Sequence, residues 1–160
     1  MKSLWENYFS KKKADPIKLA LESVPIFYNL TPSQIKEITR LVHRRTYKKG
    51  EAVFKKNAPG EGMYIIISGE IKIKDPESEM IFATLSKNNF FGEMALLDEE
   101  PRSAVAEASE PSTLVGFFRP DLMMLVSRFP ELGNKILINL SKVLAERLRE
   151  SNKILMKKSD

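Results

Sequence analysis

The residues best suited to binding chemistry lie in residues 90–104, FFGEMALLDEEPRSA, here called the cassette. Glu93 directly follows Gly92, and a lone Arg102 returns nine residues after Glu93. A glycine lets the backbone approach a ligand closely, and a helix that begins at Glu93 directs unpaired N–H groups and its positive dipole end outward. Arginine adds a planar fork of donors that matches two phosphate oxygens. The pattern predicts a binding seat for a small anionic ligand.

The side chains beside this seat suit two different ligand groups. Ser103 adds a hydroxyl, and the small side chain of Ala104 leaves its own N–H within reach of an anion. Glu93 does not favour a phosphate, but it accepts a hydrogen bond from a sugar hydroxyl, so the pattern places a ribose beside the phosphate. The alternative is a surface ion pair between Glu93 and Arg102, which is worth less than about 1 kcal/mol.

Composition limits the other kinds of site. The chain has 160 residues, 42% hydrophobic and 29% charged, which fits one domain with a real core plus terminal extensions. It has no cysteine, which excludes a disulfide framework, a thiolate metal site and a cysteine nucleophile. The one histidine, His43, cannot form a His-rich metal site, and its position at the end of a helical pattern favours an exposed structural role. We therefore expect neither a metal nor a cofactor.

Charge and hydropathy indicate a soluble, cytoplasmic protein. No apolar run approaches the roughly 20 residues that span a bilayer. The opening MKSLWENYFSKKK places aromatic residues before its lysines, the reverse of a secretory signal. The net charge is +5, and its scattered lysines favour solvated surface over a nucleic-acid or lipid patch. These lysines are Lys11, Lys12, Lys13, Lys48, Lys49, Lys55, Lys56, Lys157 and Lys158.

Helical patterns flank a region of short strands. The segment TPSQIKEITRLV predicts a helix with Thr31 as N-cap, Pro32 at the first helical position and Gln34 completing a capping box. The region that follows is rich in β-branched and aromatic residues, and Ile71 and Ile73 alternate with charged residues. Many short strands at close spacing predict a mainly β fold, an antiparallel β-roll or jelly-roll barrel over about residues 44–118, with N-terminal helices.

After Pro120 the helical period returns. DLMMLVSRF predicts a short helix, and Pro130 opens a long one, so the C-terminal helices cover about residues 120–156. The long helix has a broad apolar stripe, which predicts a homodimer through this helix; packing within its own domain is the alternative. The domain is expected over residues 16–160, after a basic N-terminal lead-in of residues 1–15. The stripe consists of Ile136, Leu137, Leu140, Val143, Leu144, Leu148 and Leu155.

The run FGEMALLDEEPRSAVAEA resembles the phosphate-binding cassette of cyclic nucleotide-binding domains. That module is shared by catabolite-activator-like regulators, protein kinase A regulatory subunits and cyclic-nucleotide-gated channels. Upstream, YKKGEAVFKKNAPGEGMYIIISGEIKI resembles the first strands of the family with their turn glycines, here Gly50, Gly62 and Gly69. The similarity covers roughly residues 26–155, and a cassette that retains both its glutamate and its arginine is a specific signal.

The resemblance implies a role for each matching residue. Arg102 pairs with the exocyclic oxygens of a cyclic phosphate, Glu93 binds the ribose 2′-hydroxyl, and the long C-terminal helix covers the base. The other residues expected around the phosphate are Gly92, Met94, Ala95, Ser103 and Ala104. Candidates for the sugar and base walls, each equally consistent with a plain core role, are Phe54, Ile73, Phe82 and Leu85. Candidates for polar contacts to the base are Arg147, Ser151 and Asn152.

The function that the resemblance implies is sensing of a 3′,5′-cyclic nucleotide without enzymatic activity. Cyclic AMP is expected rather than cyclic GMP, because Ser103 follows the arginine where cyclic GMP binders often carry threonine. Movement of the C-terminal helix would transmit ligand occupancy. The chain ends at Asp160 without room for a helix-turn-helix, so we expect no DNA-binding domain and no membrane span. It would be a stand-alone module, or a regulatory piece acting on an unknown effector.

Other function classes are weaker alternatives. An interaction scaffold with a vestigial cassette and a dimerising helix is the main one, although retention of Gly92, Glu93, Arg102 and Ser103 counts against it. A metal-dependent jelly-roll enzyme needs several histidine ligands. A haem or iron–sulfur sensor needs axial or thiolate ligands that a chain with one histidine and no cysteine poorly supplies.

Overall fold

The structure is a computed structural model that describes residues 14–158. Most of the basic lead-in, residues 1–13, therefore lies outside the described residues. In chain order the elements are α1 (Pro16–Ser23), a 3₁₀ turn (Pro25–Phe27), α2 (Pro32–Leu41), β1 (His43–Tyr47), β2 (Ala52–Phe54), β3 (Gly62–Ser68), β4 (Ile71–Lys74), β5 (Ile81–Leu85), β6 (Phe90–Phe91), a 3₁₀ turn (Glu93–Leu96), β7 (Val105–Ala108), β8 (Ser112–Phe118), α3 (Arg119–Arg128) and α4 (Pro130–Lys157).

The N-terminal helices begin where local capping chemistry allows. In α2 the predicted capping box is confirmed: Thr31 Oγ1 accepts from the Gln34 N–H at 3.2 Å, and Gln34 Oε1 accepts from the Thr31 N–H at 3.0 Å. Ile35 and Ile38 are buried on one face, as the apolar spacing predicts. The helix ends at Leu41, and His43 is the first residue of β1. The expectation that His43 closes a helical pattern is therefore wrong, although its side chain is exposed.

The eight described strands form two antiparallel four-stranded sheets, which confirms the predicted fold class. One sheet has the order β1-β8-β3-β6 and the other has β2-β7-β4-β5. They face each other as a β-roll rather than a closed barrel. The turn glycines Gly50 and Gly69 have positive φ angles of 85° and 91°, whereas Gly62 begins strand β3. Conformations of this kind favour glycine because it has no Cβ.

Strand β3 is buried on both of its faces and so separates two cores. Ile65 faces the helices, while Tyr64 and Ile66 face the second sheet. This division follows from the two-residue period of a strand, which sends successive side chains to opposite sides. In the helical core Phe27 and Phe117 meet edge to face with ring centroids 5.7 Å apart. The β-roll is thus held against the helices through one of its two sheets.

The two C-terminal helices pack against each other, and the second half of α4 is mostly exposed. Gly133 of α4 lies against α3, where a Cβ would come within 2.6 Å of the Val126 Cα atom. Asn139 donates from Nδ2 to the carbonyl oxygens of Ile26 at 3.2 Å and Tyr28 at 2.9 Å, which ties α4 to the N-terminal helices. Within residues 14–158, no helix is both long enough and apolar enough to cross a membrane. The first half of α4 buries Leu132, Ile136, Leu140 and Val143.

Candidate functional site

A cavity of about 430 Å³ lies between the second sheet, the cassette and α4. It is lined by eleven of the fourteen site residues that the sequence predicted, from five separate parts of the chain. Those eleven are Phe54, Ile73, Leu85, Gly92, Glu93, Met94, Ala95, Arg102, Ser103, Ala104 and Arg147. The cavity is also lined by residues that were not predicted from the sequence: Ala83, Phe90, Phe91, Asp98, Glu100 and Pro101.

Gly92 is required by the path of the backbone into the cavity. Its φ angle is +77°, and a Cβ at this position would lie 2.7 Å from Arg102 Nη1 and 3.2 Å from the Gly62 carbonyl oxygen. Only glycine adopts this conformation without a steric penalty and without displacing the guanidinium. The segment that follows, Glu93–Leu96, is one 3₁₀ turn of four residues. The expected helix dipole is therefore small, because it sums over few peptide units.

Arg102 is a buried cation that is held by backbone oxygens. Its side chain donates from Nη2 to the Gly62 carbonyl at 2.6 Å and from Nη1 to the Gly92 carbonyl at 3.2 Å. The ring of Phe54 lies under the guanidinium, with Cζ 4.1 Å from the ring centroid. The main chain of Arg102 is fixed as well, since its N–H donates to the Ala58 carbonyl at 2.9 Å. Its Nε atom is buried without a hydrogen-bond partner.

The charge of Arg102 is poorly compensated inside the protein. The residue is only 8% exposed, and burial lowers the pKa of its guanidinium, although Tyr64, Glu61 and Glu93 oppose this shift. Among the described residues no carboxylate forms an ion pair with it; its Nη groups bind carbonyl oxygens. A buried cation with only dipolar partners is electrostatically costly, so an anion in the cavity would lower the free energy of the site.

Glu93 is a buried carboxylate with one engaged oxygen and one unengaged oxygen. The residue is 2% exposed, and its Oε1 forms an ion pair with Arg147 Nη1 at 3.1 Å. Its Oε2 is buried without a hydrogen-bond partner. Arg147 reaches Glu93 from α4, across the Phe90 ring, whose centroid is 5.2 Å from the Arg147 Cζ atom. Glu93 thus connects the cassette to the C-terminal helix.

Three of the predicted site residues do not line the cavity. Phe82 is 58% exposed because Ala83 and Leu85, its neighbours on β5, take the inward positions of the strand. Ser151 and Asn152 are exposed on α4, a helical turn or more beyond Arg147. Ala83 lies two residues before Leu85, and this spacing predicts that both side chains lie on the same face of the strand. Nothing in the spacing alone indicated that Arg147 pairs with Glu93.

Comparison with known proteins agrees with this architecture. A family model described as cyclic nucleotide-binding domain matches residues 44–129, more than half of the chain. The chain is 33% identical over 135 residues to the cyclic AMP receptor protein of Thermus thermophilus, covering 82% of this chain and 61% of that protein. It is 35% identical over 133 residues to a cGMP-dependent protein kinase of Eimeria tenella, covering 82% of this chain and 12% of the kinase.

The structural comparison reaches the same group of proteins. The crystal structure of Thermus thermophilus catabolite activator protein matches with a TM-score of 0.74 and 33% sequence identity, covering 85% of this chain and 63% of that chain. The present chain spans less than two thirds of the length of the curated relatives that it matches. The described fold, the cavity with its buried arginine and glutamate, and the family model all agree. The chain belongs to the cyclic nucleotide-binding domain family.

Proposed function

We propose that residues 16–160 form a regulatory module that binds a 3′,5′-cyclic nucleotide, with cyclic AMP preferred, and releases it chemically unchanged. One observation carries this proposal. A buried cation and a buried carboxylate line the same cavity, and each keeps one side-chain atom, Arg102 Nε and Glu93 Oε2, without a partner. Buried polar atoms are normally hydrogen-bonded, so such a pair points to a ligand with both anionic and hydroxyl groups.

The phosphate would bind at Arg102. Its guanidinium offers a planar edge of donors, including Nε, to the exocyclic oxygens, and those charge-assisted hydrogen bonds would be strong in a buried site. The cavity of about 430 Å³ falls within the usual range of small-ligand sites. The small side chains of Gly92, Ala95, Ser103 and Ala104 support close approach of the phosphate to the backbone, and Met94 lines the same part of the cavity.

The ribose would bind at Glu93. A carboxylate oxygen accepts but does not donate, so Oε2 suits the 2′-hydroxyl of a ribose and gains nothing from a 2′-deoxyribose. The apolar residues Phe54, Ile73 and Leu85 would enclose the sugar and the base. The preference for cyclic AMP rests on Ser103 after the arginine, and the names of the two relatives above include both a cyclic AMP receptor and a cGMP-dependent kinase.

Occupancy would reach α4 through the shared carboxylate. Oε1 of Glu93 already pairs with Arg147, so a ribose hydroxyl on Oε2 and the helix on Oε1 would stabilise one position of the same side chain. Ligand and helix then favour each other's bound state, and by thermodynamic linkage the coupling is reciprocal. The result is a population shift toward the arrangement in which α4 lies against the cassette.

We also propose that the outer half of α4 pairs with a second copy of the chain. Its large apolar side chains Leu148, Ile154 and Met156 are between 58% and 71% exposed. Large apolar side chains exposed on one helix favour helix–helix association. Light scattering of the protein with and without cyclic AMP measures this directly, and a monomeric mass in both conditions contradicts the dimer.

The binding proposal is tested by calorimetric titration with cyclic AMP, cyclic GMP and 5′-AMP. We expect saturable binding of cyclic AMP, weaker binding of cyclic GMP, and little binding of 5′-AMP, whose phosphate is an open monoester of different charge and shape. A ligand that binds only the folded state also raises the melting temperature. If no cyclic nucleotide produces heat or a thermal shift, the interaction scaffold becomes the better hypothesis for the function of this chain.

A further inference from the structure

Arg119 is the first residue of α3, and its guanidinium binds carbonyl oxygens of the segments behind the cavity. Its Nη1 donates to the carbonyl oxygens of Gly60 at 3.0 Å and Ala95 at 2.9 Å, and also to the carbonyl of Asp98. Its side chain is only 21% exposed. Arg119 does not line the cavity, so it has no direct contact with a ligand there.

The acceptors of Arg119 belong to the same two segments that Arg102 joins. Arg102 links the carbonyls of Gly62 and Gly92, whereas Arg119 links those of Gly60, Ala95 and Asp98. Two arginines therefore bridge residues 60–62 to residues 92–98, one near each end of the second segment. The segment between these anchors carries Glu93.

The bonds from Arg119 matter because residues 93–98 make few stabilising hydrogen bonds among themselves. A single 3₁₀ turn has few internal hydrogen bonds and poor geometry, and its last carbonyls need partners from outside. Here no side chain caps the start of the turn, and after it the N–H groups of Leu97 and Asp98 share one acceptor, the Met94 carbonyl, at 2.9 Å and 3.3 Å. A cation at the carbonyl end supplies the missing donors.

We propose that Arg119 is a positioning residue for ligand recognition, which anchors the C-terminal end of residues 92–98 so that Glu93 Oε2 is presented to the ribose. The proposal rests on the function proposed above, because it assigns the ribose to Glu93. Arg102 holds the start of the segment and touches the ligand, whereas Arg119 holds the far end and acts only through the backbone. Loss of Arg119 leaves Arg102, Ser103 and Ala104 in place for the phosphate and releases the carboxylate.

The ion pair of Arg119 does not explain the arrangement. Its Nη2 lies 3.7 Å from Glu99 Oε1, and the Glu99 side chain is 87% exposed. Such an exposed pair contributes little to stability. The substitution Glu99→Gln removes this pair and leaves the three carbonyl bonds, so it is the matched control for the anchoring role.

The test compares Arg119→Met, Arg119→Lys and Glu99→Gln with the parent protein. The first readout is the ratio of affinities for cyclic AMP and 2′-deoxy-cyclic AMP, which isolates the hydroxyl contact of Glu93. We expect Arg119→Met to bind cyclic AMP about tenfold more weakly and to lose most of this ratio, since hydrogen bonds to a charged group are at stake. Arg119→Lys keeps a cation with several donors and should recover part of the ratio. Glu99→Gln should match the parent.

The second readout needs no ligand. Amide hydrogen exchange of residues 93–98 should be faster in Arg119→Met, while strands β3 and β8 stay protected, because the substitution frees only the local turn. An equal loss for both nucleotides, or an unchanged ratio with unchanged exchange, would overturn the proposal. If the parent binds no cyclic nucleotide, the proposed function fails, and the exchange rates alone decide whether Arg119 anchors the segment. If Arg119→Met does not fold, Arg119→Gln takes its place in both readouts.

Discussion

Arg102→Ala removes the buried cation from the cavity and is expected to weaken cyclic AMP binding by about two to four orders of magnitude. Arg102 is only 8% exposed as a residue, so its bonds to a phosphate would form away from solvent. Two charge-assisted hydrogen bonds of about 1.5–3 kcal/mol each amount to about 3–6 kcal/mol. At about 1.4 kcal/mol for each tenfold change, this corresponds to a loss of about 10²- to 10⁴-fold.

The same substitution changes stability much less. Alanine removes the bonds that Arg102 donates to the carbonyls of Gly62 and Gly92. The Gly92 carbonyl keeps the bond from the Ala95 N–H at 3.2 Å, and a buried carbonyl that loses its donor costs about 1–3 kcal/mol. Removing a buried, poorly compensated charge offsets part of this cost. We therefore expect a folded variant with a lowered melting temperature. Arg102→Lys keeps the charge but not the planar fork, so its affinity should fall between those of the parent and Arg102→Ala.

Isothermal titration calorimetry with cyclic AMP measures the effect, and circular dichroism confirms that each variant is folded. Arg44→Ala is the matched control, because Arg44 is an exposed arginine on β1 and its loss changes the net charge equally. An affinity of Arg102→Ala that equals the parent value refutes the assignment of the phosphate to this guanidinium. An equal loss in Arg44→Ala refutes it as well, because it shows a general charge effect.

Three further substitutions test neighbouring parts of the site. Glu93→Ala should cost about tenfold in cyclic AMP affinity, less than Arg102→Ala because one charge-assisted bond is lost, and calorimetry should then show equal affinities for cyclic AMP and its 2′-deoxy analogue. Gly92→Ala places a Cβ 2.7 Å from Arg102 Nη1 at a φ of +77°, so urea unfolding should show a loss of at least about 1–2 kcal/mol, and unchanged stability would contradict the strain argument. Arg147→Met removes the half-exposed partner of the buried Glu93 carboxylate and should cost less than about 1 kcal/mol of binding free energy, while ligand-induced protection of α4 in hydrogen exchange disappears. Persistence of that protection would exclude Arg147 as the link to the helix.

Local patterns in the sequence predicted much of the secondary structure and the chemistry of the cassette. The capping box of Thr31 and Gln34, the helix start at Pro130 and the alternation of Ile71 with charged neighbours all depend on residues close in the chain. The association of Gly92, Glu93 and Arg102 was visible for the same reason, since they lie within eleven consecutive positions. Short strands were less predictable, because β6 has only two residues and carries no period.

What the sequence alone determined is which residues carry the chemistry; what the tertiary structure decided is which atoms they meet. Arg102 binds the Gly62 carbonyl, which is 40 residues away in the sequence, and Arg119 binds the Gly60 carbonyl, which is 59 residues away. Such partners depend on strand register and on how β8 leads into α3, and a shift of register by one residue would send each side chain to the opposite face. The pairing of Arg147 with Glu93 has the same origin, because α4 must pack beside the cavity in the position that brings Arg147 to Glu93. Propensity acts over a few residues, whereas these contacts are set by packing of the whole domain.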